Sequence, residues 1–224
     1  LSSFLITRQN MGLFPSILES ITDLNLTQIN SLLSLAKHYK DNKDSPPYFQ
    51  YKRPIVATSF LEHSTRTKNS FTIALNKLGC IHNDFDVHNS SLKKGENLEE
   101  TLLTLHYQGV DLCIIRTPHS HHFSDFKNSP PIKIINGGDG INEHPTQALL
   151  DLFTMIELHG SLKGKKIGIV GDVFHSRVTH SLIKLLPLFG AEIILCGPDI
   201  FMTKEDTQLI KQTQNLDDLI QNCD

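Results

Sequence analysis

An α/β fold of two doubly wound domains, each around a central parallel sheet and the second incomplete, is what this sequence predicts. Three observations predict it. Short β-branched runs alternate with stretches whose apolar residues recur at helical spacing. Glycine and proline punctuate the joins between them. Helix-start residues follow directly on strand ends, the arrangement that places ligands at the carboxyl ends of parallel strands.

Taken in order, residues 1–18 carry little pattern and read as an extension. Ile29, Leu32, Leu33, Ala36 and Tyr39 share one helical face, so 23–39 is expected to be an amphipathic helix with Thr27 as its cap. The polar stretch 40–52, with Pro46-Pro47, is a loop. Strands are expected at 55–60, 80–85, 112–115, 132–135, 166–170 and 192–196. Helices are expected at 65–78, 98–106, 145–158 and 176–189, and one or two more fill 203–224. Two glycines in Leu158-His159-Gly160-Ser161-Leu162-Lys163-Gly164 mark a junction, giving a first domain over 1–160 and a second over 161–224 that ends early.

The composition narrows the function. With 224 residues, 39% apolar and 20% charged, the chain can bury a substantial core. A net charge of -3 and a pI near 6.5 speak against nucleic acid, whose backbone demands a basic excess. No apolar run reaches the ~20 residues of a membrane span, and no signal-peptide pattern opens the chain. Cys80, Cys113, Cys196 and Cys223 are widely spaced without a CxxC pair, so they read as reduced thiols of a cytoplasmic protein with no metal role. His119, His121 and His122 form a Pro-flanked loop that reads as solvent-facing.

Two stretches carry the chemistry. Glu62-His63-Ser64-Thr65-Arg66-Thr67 lies between the 55–60 strand and a helix face formed by Phe71, Ala74, Leu75 and Leu78. A helix start leaves N–H groups without partners and carries partial positive charge, so hydroxyls and a guanidinium there suit a phosphate. Alone, Ser64 or Thr65 as an N-cap and Arg66 as a solvated charge is the preferred reading of this stretch. In the second stretch, 136–154, three glycines in four positions read as outside any strand, and Pro145 suits the first helical position. That puts His144 at the N-cap, where the helix end disfavours protonation and leaves a neutral donor able to polarise a carbonyl. Lys166-Ile167-Gly168-Ile169-Val170-Gly171-Asp172 lacks the G-x-G-x-x-G of a dinucleotide site.

Together, Ser64-Thr65-Arg66-Thr67 and His144-Pro145-Thr146-Gln147-Ala148-Leu149-Leu150-Asp151 resemble the aspartate/ornithine carbamoyltransferase family, from about residue 20 to the end. The loop Lys93-Lys94-Gly95-Glu96 and Leu149-Leu150-Asp151-Leu152-Phe153 look like its aspartate branch more than its ornithine branch. The resemblance implies transfer of a carbamoyl group from carbamoyl phosphate to L-aspartate, without cofactor or metal. It implies that Ser64, Thr65, Arg66 and Thr67 hold the phosphate, that Arg116, Thr67 and His144 polarise the carbonyl, and that Gln147 accepts from the carbamoyl NH2. Arg177 matches the arginine for the aspartate α-carboxylate, and Glu62 a glutamate that bridges the domains on closure. Ser90 and Lys94 match a loop that serves the neighbouring subunit, which implies a homotrimer with shared sites; regulatory or dihydroorotase chains are the further partners the family allows. A catalytically silent homologue is the alternative, against which all the phosphate and carbonyl residues are retained. Leu61, Lys68 and Thr72 depart from the family pattern and are expected to alter packing and local pairing. The Arg-Val-Gln segment and Pro-Leu loop that complete the family's aspartate pocket are not in this sequence.

Overall fold

A computed structural model describes residues 14–43, 48–49, 51–62, 64–85, 97–121, 123, 129–202 and 210–224. The chain divides into two compact units, one of residues 1–19, 23–115 and 123–135, the other of 20–22, 116–122 and 136–224.

The first unit follows the alternation of the sequence. It contains β1 (Ile17–Leu18), α1 (Leu26–Asp41), β2 (Ile55–Phe60), α2 (Thr65–Leu78), β3 (Ile81–Asp84) and α3 (Leu98–Tyr107). Strands β4 (Leu112–Thr117) and β5 (Lys133–Asp139) begin here and end in the second unit. The strand order is β1-β5-β4-β2-β3, with β1 parallel to β5 and β2 parallel to β3. Alternate residues of the strands feed two cores. Ala57, Cys113, Ile115 and Ile134 join Leu102 and Leu105 of α3, while Val56 and Ile114 join Leu75 of α2. Gly79, with φ 82°, ends α2 as a left-handed C-cap, as its position in the sequence suggests.

The second unit contains α4 (Pro145–His159), β6 (Lys166–Val170), α5 (Arg177–Leu185), β7 (Glu192–Cys196), β8 (Lys211–Thr213) and α6 (Leu216–Asn222). Its parallel sheet has the order β6-β7-β8. Cys80, Cys113 and Cys196 are buried and Cys223 half-buried, all as free thiols. Among the described residues no helix is long and apolar enough to cross a membrane.

Five local expectations are corrected. Residues 17 and 18, expected to be patternless, form β1, which two residues are too few to announce by period. Helix α1 is capped by Asn25 rather than Thr27: the Asn25 side chain accepts the Gln28 N–H while the Gln28 side chain accepts the Asn25 N–H. Gly137 and Gly138 lie inside β5, which runs on to Asp139. The helix expected over 176–189 stops at Leu185, and residues 186–189, which include Pro187, continue as a 3-10 turn. The expected helices after 203 are a strand, β8, followed by one helix, α6, with 203–209 outside the described residues.

Candidate active site

Helix starts usually gather carboxylates, which offset the positive end of the helix dipole. Helix α3 does so with Glu99 and Glu100, and α6 with Asp217 and Asp218. The first turns of α1, α2, α4 and α5 have none; those of α2 and α5 hold Arg66 and Arg177, and His144 precedes that of α4.

In the first unit, the end of β2 leads through Leu61 and Glu62 to Ser64, the N-cap of α2. Ser64 is extended, with φ -154° and ψ 90°, and its side chain makes no capping hydrogen bond. Ser64 and Thr67 are half-buried, and Thr65 and Arg66 are exposed. The N–H groups of this turn are those a helix leaves without an internal acceptor, so hydroxyls, a guanidinium and amides are offered together to a tetrahedral anion. Ser90 and Lys94 lie outside the described residues, as does His122.

The second unit brings Arg116 and Arg177 together at one glycine, and both guanidiniums act on His144. Arg116 is near the end of β4, and its Nη1 lies 3.4 Å from the carbonyl oxygen of Gly137. Gly138 has φ 114°, and a Cβ there would sit 3.0 Å from Nη1 of Arg177 and 3.4 Å from Nη1 of Arg116. The absent side chain lets two guanidiniums approach the same stretch of backbone, the physical reason for glycine inside this strand. Gln147 donates its amide N–H to Asp151 Oδ1 at 2.8 Å, which leaves its Oε1 as the acceptor. Burial raises the Asp151 carboxyl above its ordinary range.

His144 is the N-cap of α4 and only 5% exposed. Its carbonyl accepts the N–H groups of Gln147 and Ala148, and its own N–H donates to Ser181 Oγ at 3.0 Å. Its Nδ1 lies 3.3 Å from Thr146 Oγ1; a hydroxyl donating there leaves the ring hydrogen on Nε2. Burial lowers its pKa to about 4, with Arg116 and then Arg177 adding to the effect. The sequence predicts the neutral state from the helix end; desolvation and two cations produce it here.

A stability effect follows from that shift. The unfolded chain takes up this proton near pH 6.5 and the folded chain near 4, so the unfolded state binds more protons between those values. Stability is unaffected above pH 6.5 and falls as pH drops toward 4, by roughly 3 kcal/mol from this group. Urea unfolding at pH 7 and pH 4.5 is expected to show this loss in the parent and a clearly smaller one in His144→Gln.

Glu143 was not expected from the sequence. It is 1% exposed, and its carboxylate accepts from Ser20 Oγ at 2.5 Å, the Ile21 N–H at 3.0 Å, Ser181 Oγ at 2.9 Å and Lys184 Nζ at 2.6 Å. Nδ1 of His180 lies 2.7 Å from the Ile141 carbonyl oxygen. Arg177, His180, Ser181 and Lys184 are spaced i, i+3, i+4 and i+7, one face of α5. That polar face is the signal the sequence offers. His119 and His121 have exposed side chains; their backbone N–H groups bond Thr117 Oγ1 and Asp139 Oδ2. Among the described residues no group of three or more His, Cys, Asp or Glu side chains could hold a metal ion.

Parallel α/β units that hold Arg116, Arg177 and an uncharged, buried His144 near the ends of parallel strands define the class of the fold. The profile of the aspartate/ornithine carbamoyltransferase carbamoyl-P binding domain matches residues 17–157, and the chain belongs to that family. The aspartate carbamoyltransferase catalytic subunit of Streptococcus pneumoniae (strain ATCC 700669 / Spain 23F-1) is 42% identical over 207 residues, 92% of this chain and 66% of that protein. This chain thus spans 66% of the length of that relative. Among solved structures, aspartate transcarbamoylase from Trypanosoma cruzi in complex with carbamoyl phosphate and aspartate is similar, with a TM-score of 0.87 and 31% identity over 95% of this chain and 76% of that one. The same enzyme in complex with N-(phosphonacetyl)-L-aspartic acid gives a TM-score of 0.85 at 30% identity, covering 95% of this chain and 71% of that one.

Proposed function

We propose that this protein is an aspartate carbamoyltransferase, transferring the carbamoyl group of carbamoyl phosphate to the amine of L-aspartate in pyrimidine synthesis. The observation that carries this reading is the pairing of Arg116 and Arg177 at Gly138 beside a neutral His144. The relatives support it: they include aspartate carbamoyltransferases and a structure in complex with carbamoyl phosphate and aspartate.

In this reading the Ser64, Thr65 and Thr67 hydroxyls and Arg66 bind the phosphate group. The aspartate nitrogen attacks the carbamoyl carbon, and the carbonyl oxygen gains negative charge that Arg116, Thr67 and the His144 ring N–H stabilise. Gln147 Oε1 orients the carbamoyl NH2, and Arg177 binds the aspartate α-carboxylate. The C–O bond to phosphate then breaks, and the departing phosphate takes the amine proton. A donor hydrogen bond from an uncharged imidazole stabilises the oxyanion without transferring a proton to it, so His144 persists in one state through turnover.

The wider reading assigns residues 1–160 to carbamoyl phosphate and the region from 161 to aspartate, in a cytoplasmic homotrimer where Ser90 and Lys94 serve a neighbouring subunit. The test is to offer the full-length protein carbamoyl phosphate with L-aspartate or L-ornithine. N-carbamoyl-L-aspartate is the expected product; carbamoylation of ornithine, or of neither, overturns the assignment.

A further inference from the structure

Lys68 sits in the first turn of α2, immediately after Thr67, where a cation is opposed by the helix dipole. It is not left to solvent. Its Nζ lies 2.8 Å from Oδ2 of Asp84, the last residue of β3. Asp84 is in turn fixed from the sheet: Thr58, its register partner on β2, donates its hydroxyl to Asp84 Oδ1 at 3.3 Å. Thr58 is fully buried, and its Oγ1 also lies 2.9 Å from His82 Nε2. A threonine hydroxyl has one hydrogen; spending it on Asp84 makes Thr58 the acceptor, so His82 Nε2 carries a ring hydrogen. The result is a continuous bonded run, His82 to Thr58 to Asp84 to Lys68, from the middle of a parallel strand pair to the opening turn of the helix.

Two consequences follow. The opening turn is tied to the β2–β3 pair by a side-chain tether in addition to the apolar packing of Leu75 further along the helix. The Lys68 ammonium is also held on Asp84, so it does not swing freely beside the hydroxyls and amides of residues 64–67.

Resting on the carbamoyl phosphate reading above, we propose that Asp84 is a positioning residue for the anion-binding start of α2. Through Lys68, with Thr58 and His82 fixing its carboxylate, it holds that turn in the geometry that receives the phosphate end of the donor. The effect is modest by nature, because both partners are partly exposed, with side-chain exposures of 40% and 48%.

Calorimetric titration of the full-length protein with carbamoyl phosphate tests it, using Asp84→Asn, Lys68→Met and the double variant. Each single change is expected to weaken binding about threefold, the scale of an exposed ion pair. The double variant is expected to be no weaker than either single one, because both remove the same tether. In steady-state assays the loss falls on KM for carbamoyl phosphate and leaves KM for aspartate in place. Unchanged affinity in both single variants, or independent multiplication of their effects, overturns the proposal. Hydrogen exchange separates this outcome from failure of the functional reading: the amides of Lys68 and Asn69 are expected to exchange faster in Asp84→Asn whether or not the parent binds carbamoyl phosphate. Equal exchange in parent and variant overturns the tether itself, whereas a parent that binds no carbamoyl phosphate overturns the functional reading.

Discussion

Glu143→Ala is expected to cost about 3–5 kcal/mol of stability, because it strips buried donors of their acceptor and leaves a cavity. The carboxylate gathers four donors from two parts of the chain: Ser20 and Ile21, and Ser181 and Lys184 on α5. Alanine leaves the buried Ile21 N–H and Ser181 hydroxyl without this acceptor, and each such group costs about 1–3 kcal/mol, whereas the half-buried Ser20 hydroxyl also meets Thr22 Oγ1. It also opens a cavity where the side chain was. Lys184 suffers least, because its side chain is 43% exposed and rehydrates. Chemical denaturation followed by circular dichroism measures the loss, and the thermal midpoint should fall by roughly 10 °C. Glu143→Gln is expected to be milder, since one oxygen still accepts, yet it places an NH2 against other donors. A loss below about 1 kcal/mol for the alanine variant would show that this network contributes little beyond geometry.

The same network bears on the candidate site. Ser181 Oγ gives its hydrogen to Glu143 and accepts the His144 N–H, so the carboxylate fixes the hydroxyl that fixes the backbone beneath the imidazole. Arg177 rides on the same helical face four residues before Ser181. The placement of His144 against Arg177 on α5 is therefore supported by Ser181 and Glu143.

How much of this was legible in the sequence depends on the range of the interaction. Short-range rules worked where they had a full period to act on. β2, β6 and β7 span the expected 55–60, 166–170 and 192–196 around β-branched residues, α2 ends at Gly79, and α4 starts at Pro145 behind His144. They failed where tertiary contacts override local preference. Gly137 and Gly138 look like a turn because glycine weakens a strand, yet here β5 needs a position without Cβ for Arg177 and Arg116 to approach, 39 and 22 residues away in sequence. β1 is two residues long and exists because Ile17 and Leu18 pair with Ile134 and Ile135. Glu143 reads as one more polar residue in a loop until Ser20, Ser181 and Lys184, 123, 38 and 41 residues away, are brought to it. The neutral state of His144 was expected correctly from the wrong leading cause: a helix end is visible in sequence, whereas burial and the two arginines are not.

Under the proposed carbamoyl transfer, Arg116→Ala is expected to lower kcat by about 10²–10³-fold, the usual loss when a preorganised donor to a developing oxyanion is removed. The strand, rather than a flexible loop, carries this side chain, and the Gly137 carbonyl helps to hold it, so it needs no reorganisation when charge appears on the substrate oxygen. A second readout distinguishes this role from one in binding alone. Arg116 is the largest charge acting on His144 after burial itself, so its removal should let the imidazole pKa rise from about 4 toward its ordinary value. Arg177 and burial stay, and the rise is therefore partial. Histidine titration by NMR measures it, and the acid loss of stability described for His144 should shrink in the same variant. Arg116→Lys keeps a charge but not the planar fork, so it is expected to restore much of the low imidazole pKa while recovering little of kcat. If lysine restored turnover fully, long-range charge rather than a directed hydrogen bond would be what the reaction requires of this position.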